Sequence, residues 1–223
     1  MHTTQLEFST KYTFKHALRY HDKHRNTLSH RLSNWREQQM AARALAWVGH
    51  PTTVLDLPCG TGRFWPLLAR KEDRTILAAD YSKAMLAVAR EITLPELLDR
   101  VKIFPCSAFD IPMEDASVDH IFCMRLLHHI TRPEDRLAIL KEFYRVTRDT
   151  VAISLWVDGN YKAVRRRKLE AHRTHKTYQN RIVMERAVVE REFANAGFVI
   201  ASHFDFLKFY SMWRLYVLKK PKS

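Results

Sequence analysis

At 223 residues, with 46% hydrophobic and 27% charged side chains, the chain suffices for one domain with a substantial core and is short for two. No apolar run approaches the ~20 residues of a membrane span, and the N-terminus lacks the basic-then-apolar pattern of a secretory leader, so a cytoplasmic protein is expected. The formal charge of +13 favours anionic partners through long-range attraction and carries no information on fold. Three cysteines (Cys59, Cys106, Cys123) without metal-ligand spacing fit a reducing compartment and no metal site.

The charge sits in two blocks. Residues 1–50 hold eight Lys/Arg against three acids, and residues 159–181 hold eight against one. In chain order, residues 9–25 and 27–48 read as helices, the second with Leu28, Leu32, Trp35, Met40, Ala44, Leu45 and Val48 near helical spacing and Gly49-His50-Pro51 as its stop. Thr53–Leu57 is a strand leading into a glycine loop, and Phe64–Arg70 a helix that tolerates Pro66 in its first turn. The alternation repeats with strand Thr75–Ala79 ending at Asp80, helix Ser82–Ile92, and strands Val101–Phe104 and Val118–Met124. Thr131-Arg-Pro-Glu134 reads as a capping box opening a helix to about Val146. Then come strand Thr150–Leu155, helix Glu185–Ala196 stopped by Gly197, and strands near Phe198–Phe206 and Met212–Leu218. Alternating strands and helices predict an α/β, doubly wound, Rossmann-like sheet of seven mostly parallel strands. The last two runs have no helix between them, so the final strand is expected to be antiparallel. Residues 1–50 form a basic helical extension, and residues 51–220 the main domain with a basic insert at 158–180.

In such folds a ligand lies outside the carboxyl ends of the strands, where strand order reverses. The first strand-to-helix turn then needs glycines for close backbone approach, a role Gly60 and Gly62 fill. The second strand should end in an acid for ribose hydroxyls. Asp80 stands there, 24 residues after Asp56. A nicotinamide cofactor is disfavoured, because its fingerprint calls for a third glycine where Trp65 stands.

Val54-Leu-Asp-Leu-Pro-Cys-Gly-Thr-Gly62 resembles the first motif of class I S-adenosylmethionine-dependent methyltransferases, of the type 11/25-like kind. Asp80-Tyr-Ser-Lys-Ala-Met-Leu86 is similar to their second motif, and Cys106-Ser-Ala-Phe-Asp-Ile-Pro112 with Glu114–Asp119 to the third. Leu127-His-His129, Glu142–Val146 and Phe193–Phe198 match later elements, so the resemblance spans about residues 50–220. It implies S-adenosyl-L-methionine as cofactor. Asp56 would order the loop and the cofactor's amino group, and the backbone of Cys59, Gly60, Thr61 and Gly62 would line its methionine part. Asp80 would bind the ribose, Tyr81 would pack along the adenine, Ser107 and Ala108 would approach its edge, and Arg125 and Leu126 would lie near the sulfonium. Two positions depart from the family pattern. Pro58 replaces a glycine and removes an N–H, and Ser107 stands where many members carry an acid.

Methyl transfer needs an in-line nucleophile, and a base only where the acceptor must lose a proton. His128 and His129 follow the fourth strand and are the candidate bases, although one packing and one solvated histidine is the plainer expectation. The insert places Tyr161, Arg165, Arg166 and Arg167 at the carboxyl-end rim. By the family resemblance the N-terminal helices, with Tyr20 and Arg36, form a lid over the same mouth. These six are the candidate acceptor contacts. The acceptor readings are an anionic small molecule, a phosphorylated saccharide or glycolipid, or RNA. A different class of reading is a regulatory module that binds cofactor or nucleotide with little turnover, the arginine cluster holding a nucleotide, and a partner protein assisting.

Overall fold

The computed structural model describes Phe14, Ala17, Leu18, residues 27–171 and residues 182–221. Seven strands form one sheet in the order β3-β2-β1-β4-β5-β7-β6. They are β1 (Thr53–Asp56), β2 (Thr75–Asp80), β3 (Val101–Pro105), β4 (Val118–Cys123), β5 (Thr147–Trp156), β6 (Val199–Asp205) and β7 (Trp213–Lys219). Strands β1 to β5 pair in parallel, while β7 runs antiparallel between β5 and β6. The order reverses between β1 and β4, which opens the crevice that such sheets use for ligands.

Strand side chains alternate between two cores. Leu55, Ile121, Ile153 and Tyr216 pack with α5 (Pro133–Val146) and α7 (Arg186–Asn195). Val54, Phe122, Ala152 and Leu215 pack on the other face with α1 (Leu28–Trp47), α2 (Trp65–Leu68) and α3 (Lys83–Ile92). Thr27 caps α1 by accepting a hydrogen bond from His30 N at 3.2 Å, and Ser82 caps α3 through Met85 N at 3.3 Å. Of the expected first helix, Phe14, Ala17 and Leu18 are helical, and Ala17 is buried against Met85 and Val88 of α3.

Three local expectations change. The Thr131–Glu134 capping box does not form: α5 starts at Pro133 after Arg132, with no side-chain cap bond. Arg132 instead takes the Glu134 carboxylate at 2.7 Å, while Pro133 at the first helical position needs no N–H partner. Strand β5 begins three residues earlier than its apolar run, since Thr147 continues straight from α5 into pairing with Val118. A short helix, α4 (Pro95–Leu98), fills the approach to β3. Helix α6 (Tyr161–Ala171) occupies the described part of the basic insert.

Candidate active site

The loop after β1 is stitched to both neighbouring strands. Leu57 N donates to Phe122 O at 3.1 Å, and Cys59 N to Ala79 O at 2.8 Å. The Leu57–Pro58 peptide is cis. Gly60 and Gly62 both have positive φ, +57° and +74°. A Cβ on Gly60 would meet only open space, whereas one on Gly62 would strike the Trp65 ring at 2.6 Å. The loop thus bares backbone on one side and packs on the indole of α2 on the other.

Two buried carboxylates flank this cradle. Asp80 accepts from Gly60 N at 2.9 Å and from Ser82 N at 2.8 Å, which ties the loop to the start of α3. Burial nevertheless raises its pKa to about 6, against the lowering effect of those two N–H donors. Asp56 is buried, and the Trp65 indole N–H is the donor that favours its carboxylate, without a hydrogen bond of normal geometry among the described residues. Burial, aided by the Asp80 charge, pushes its carboxyl well above the usual carboxylate range. The Cys59 thiol is likewise raised by burial and by the two acids, so it is no nucleophile. Cys106, with its thiol donating to Ser107 O at 3.1 Å, is pushed up to about 12 by burial. A glycine-bared cradle flanked by two buried acids suits a ligand carrying hydroxyls and an amino group.

The remaining cofactor candidates follow the carboxyl ends of β1 to β4. Tyr81 directly follows Asp80 and is half-exposed. Ser107 Oγ accepts from Phe109 N at 3.2 Å, and Ala108 is buried beside it. Thr61 and Leu126 are buried. Arg125 ends β4 in the left-handed region (φ +63°), its N–H donating to Ser154 Oγ at 2.9 Å. Its guanidinium reaches Glu37 and lies 4.9 Å over Trp213.

Glu37 is the residue that sequence reasoning missed. It is buried on α1 and joins Arg63 of the glycine loop, at 2.7 Å, to Arg125 of the β4 rim. Burial alone would raise its carboxyl, but the Arg63 and Arg125 charges prevail and hold it at about 2. Asn34 Oδ1 accepts from Arg63 at 3.1 Å, and Gln38 donates to Arg63 O at 3.1 Å. Positions 34, 37 and 38 lie on one helical face, so α1 grips the loop with a polar stripe. The available signal was those polar residues next to the buried stripe of Met40, Ala41 and Ala44.

At the reacting end, His128 is buried in an aromatic sandwich. It stacks on Trp156 at 5.3 Å and meets Trp213 edge-on at 5.0 Å, with His129 at 4.3 Å. His129 is only half-buried. Trp156 and Trp213 pair across β5 and β7, so neither was visible as a site residue from sequence position. Arg166 lies 4.8 Å over Trp156 and also pairs with Glu170 at 2.6 Å. Arg167 pairs with Asp158 at 3.1 Å, and Arg165 is exposed. With Lys162 and Met212, Arg165 and Arg166 line an open cavity of about 300 Å³. Tyr161 stacks on Tyr210 at 5.7 Å. Arg36 donates to Phe206 O at 2.9 Å and Asp205 O at 3.3 Å, and so anchors α1 to the end of β6. Tyr20 lies outside the described residues.

Residues 54–150 match a family model described as a methyltransferase domain. The methyltransferase GfsG of Streptomyces halstedii is 35% identical over 136 residues, covering 55% of this chain and 48% of that protein. The chain thus spans about half the length of that curated relative. Among solved structures, magnesium protoporphyrin IX methyltransferase from Synechocystis PCC 6803, with bound S-adenosylhomocysteine, superposes at a TM-score of 0.73. Its identity is 14%, over 91% of this chain and 93% of that one. A chain in the Haloferax volcanii complex of the Trm112 methyltransferase activator superposes at 0.68 with 18% identity, over 98% and 99%. At such identities the structural likeness speaks to fold. Residues 54–150 thus carry a methyltransferase domain, and the chain shares its fold with a methyltransferase that binds S-adenosylhomocysteine.

Proposed function

We propose that this chain transfers the methyl group of S-adenosylmethionine to an anionic acceptor with an apolar body, a small molecule or a phosphorylated saccharide or glycolipid. The observation that carries this reading is the wall of Trp156, Trp213 and His128 with Arg125 and Arg166 over the indole faces, beside the cofactor cradle. The partly exposed Trp213 indole takes an apolar body, and Lys162 and Arg165 in the adjoining cavity attract its charge, since Arg125 and Arg166 are paired with Glu37 and Glu170.

When bound, the cofactor supplies an electrophilic methyl on a sulfonium. Asp80, already tied to Gly60 N, would accept its ribose hydroxyls, and Asp56 would order the loop beneath its methionine end. Tyr81, Ser107 and Ala108 border the adenine, while the Cys59–Gly62 backbone and Leu126 enclose the remainder. Glu37 holds Arg63 and Arg125 in register, so the cradle and the acceptor wall keep one geometry on which in-line attack depends. His129 is the histidine that solvent and an acceptor can reach, and it takes the acceptor's proton where one must leave. The likeness to the Trm112 complex supports a partner protein as a further component.

The test is turnover of methyl-labelled cofactor on cell extract, split by organic extraction and by nuclease. Label is expected in an extractable, nuclease-resistant, anionic fraction. Label removed by nuclease would transfer the assignment to RNA, and no label in any fraction would leave a binding module.

A further inference from the structure

We propose that the tip of the β6–β7 hairpin and the start of α6 dock this chain on an anionic lipid membrane, with the mouth of the methyl-transfer site turned to the lipid. The proposal deepens the reading of the Trp156–Trp213 wall as the acceptor side, and the location follows from strand direction. Strand β6 is antiparallel to β7, and β7 to β5, so the tip after Asp205 lies at the same sheet end as Trp156.

The tip exposes apolar side chains that folding would ordinarily bury. Phe209 is 75% exposed, Leu207 48% and Tyr210 45%, and on α6 Tyr161 is 57% exposed. Phe209 also sits at φ +62°, a conformation that disfavours a bulky L residue. The Phe209 backbone serves the fold through its carbonyl, but the exposed phenyl ring gains little from it, and contact with something outside the fold accounts for the ring's exposure. The patch is also firmly built. Tyr161 N and Lys162 N donate to Phe209 O and Tyr210 O at 2.9 and 3.1 Å, so the hairpin satisfies orphan donors of the helix start. Arg36 braces the hairpin base through Phe206 O.

The charge around the patch selects the partner. Lys162 lies 5.1 Å over the Tyr210 ring, Lys208 lies 5.0 Å over Phe209, and Arg165 is exposed nearby. The neighbouring acid, Glu170, is already paired with Arg166. Aromatic and aliphatic side chains ringed by lysines match the headgroup boundary of an anionic bilayer, with rings at the interface and ammonium groups on the lipid phosphates. Single-stranded nucleic acid fits less well. Tyr161 and Tyr210 already stack on each other at an interplanar angle of 10°, and exposed Leu207 has no use in base stacking.

Flotation of the whole chain with phosphatidylserine–phosphatidylcholine vesicles, against phosphatidylcholine vesicles alone, tests the proposal. Binding to the anionic vesicles only is expected, weakening as salt rises. Phe209→Ser with Leu207→Ser should lower the partition coefficient about tenfold, and Lys208→Glu should lower it on anionic vesicles. S-adenosylhomocysteine affinity, measured by calorimetry on the same variants, should not change. Equal binding of wild type and variants, no binding to anionic vesicles, or displacement from vesicles by single-stranded RNA would overturn the proposal. Vesicle binding without cofactor binding would remove the assigned reaction and leave the docking surface standing, so the two readings fail separately.

Discussion

Burial lifts the Asp80 carboxyl to about 6 although Gly60 and Ser82 each donate an N–H to it. Ribose hydroxyls would add donors that favour the ionised form, so cofactor affinity should fall as pH drops through about 6. Calorimetric titration with S-adenosylhomocysteine between pH 5 and pH 8 checks this, and a flat profile would contradict the ribose role. Asp80→Asn should remove the pH dependence and weaken binding by about 100-fold, as lost charge-assisted bonds require. The sign for stability is the reverse. With a folded pKa above the ordinary aspartate value of 3.8, the ligand-free protein loses this group's contribution as pH rises from 3.8 to about 6. Asp56, Gly60, Gly62 and Asp80 were legible in the sequence because each follows a strand within a residue or a short loop, and their spacing follows from the βαβ unit. Tyr20 and Arg36 were read from charge, aromaticity and the family's N-terminal lid, and Arg36 donates to the Asp205 and Phe206 carbonyls at the end of β6.

Between elements, α1 and the glycine loop meet through Glu37, Asn34 and Gln38, whose partners lie 25 to 88 residues away in sequence. Long separations of this kind leave no local period, which is why α1 read as a basic lid and its grip on the loop did not. Glu37→Gln should destabilise the fold by about 3 kcal/mol, because two largely buried guanidiniums lose their counter-charge. Since Glu37 is held at about 2, the difference between wild type and variant should persist above pH 4.5 and shrink as pH falls from 4.5 to about 2. Denaturant unfolding at a series of pH values measures it. At the loop itself, Gly62→Ala sets a Cβ 2.6 Å from Trp65 at φ +74°. A loss of about 2 kcal/mol is expected, together with weaker cofactor binding. Gly60→Ala, with open space at its Cβ, should lose less stability yet still obstruct the ligand. The capping box was misread at this scale: Thr131 and Glu134 have the right spacing, but Pro133 and Arg132 supply a competing start that local rules rank poorly.

For the whole molecule, ion pairs leave the +13 surplus unchanged but decide which cations are paired inside the fold: Arg63 and Arg125 on Glu37, Arg136 on Glu192 at 2.8 Å, Arg214 on Asp205 at 2.7 Å. What faces outward at the carboxyl end is a smaller set around Lys162, Arg165 and Lys208, set among aromatics. No helix among the described residues is long and apolar enough to cross a membrane. The sequence by itself determined the alternation of strands and helices, the antiparallel last strand and the glycine loop flanked by Asp56 and Asp80, because those depend on residue period and on contacts between near neighbours. Only the tertiary structure decided that Glu37 joins the loop to the rim, that Trp156 and Trp213 enclose His128, and that Phe209 stands out beside Tyr161. The first depends on how α1 packs over the loop and the others on which strands pair, and pairing β7 between β5 and β6 brings together residues that the chain keeps far apart.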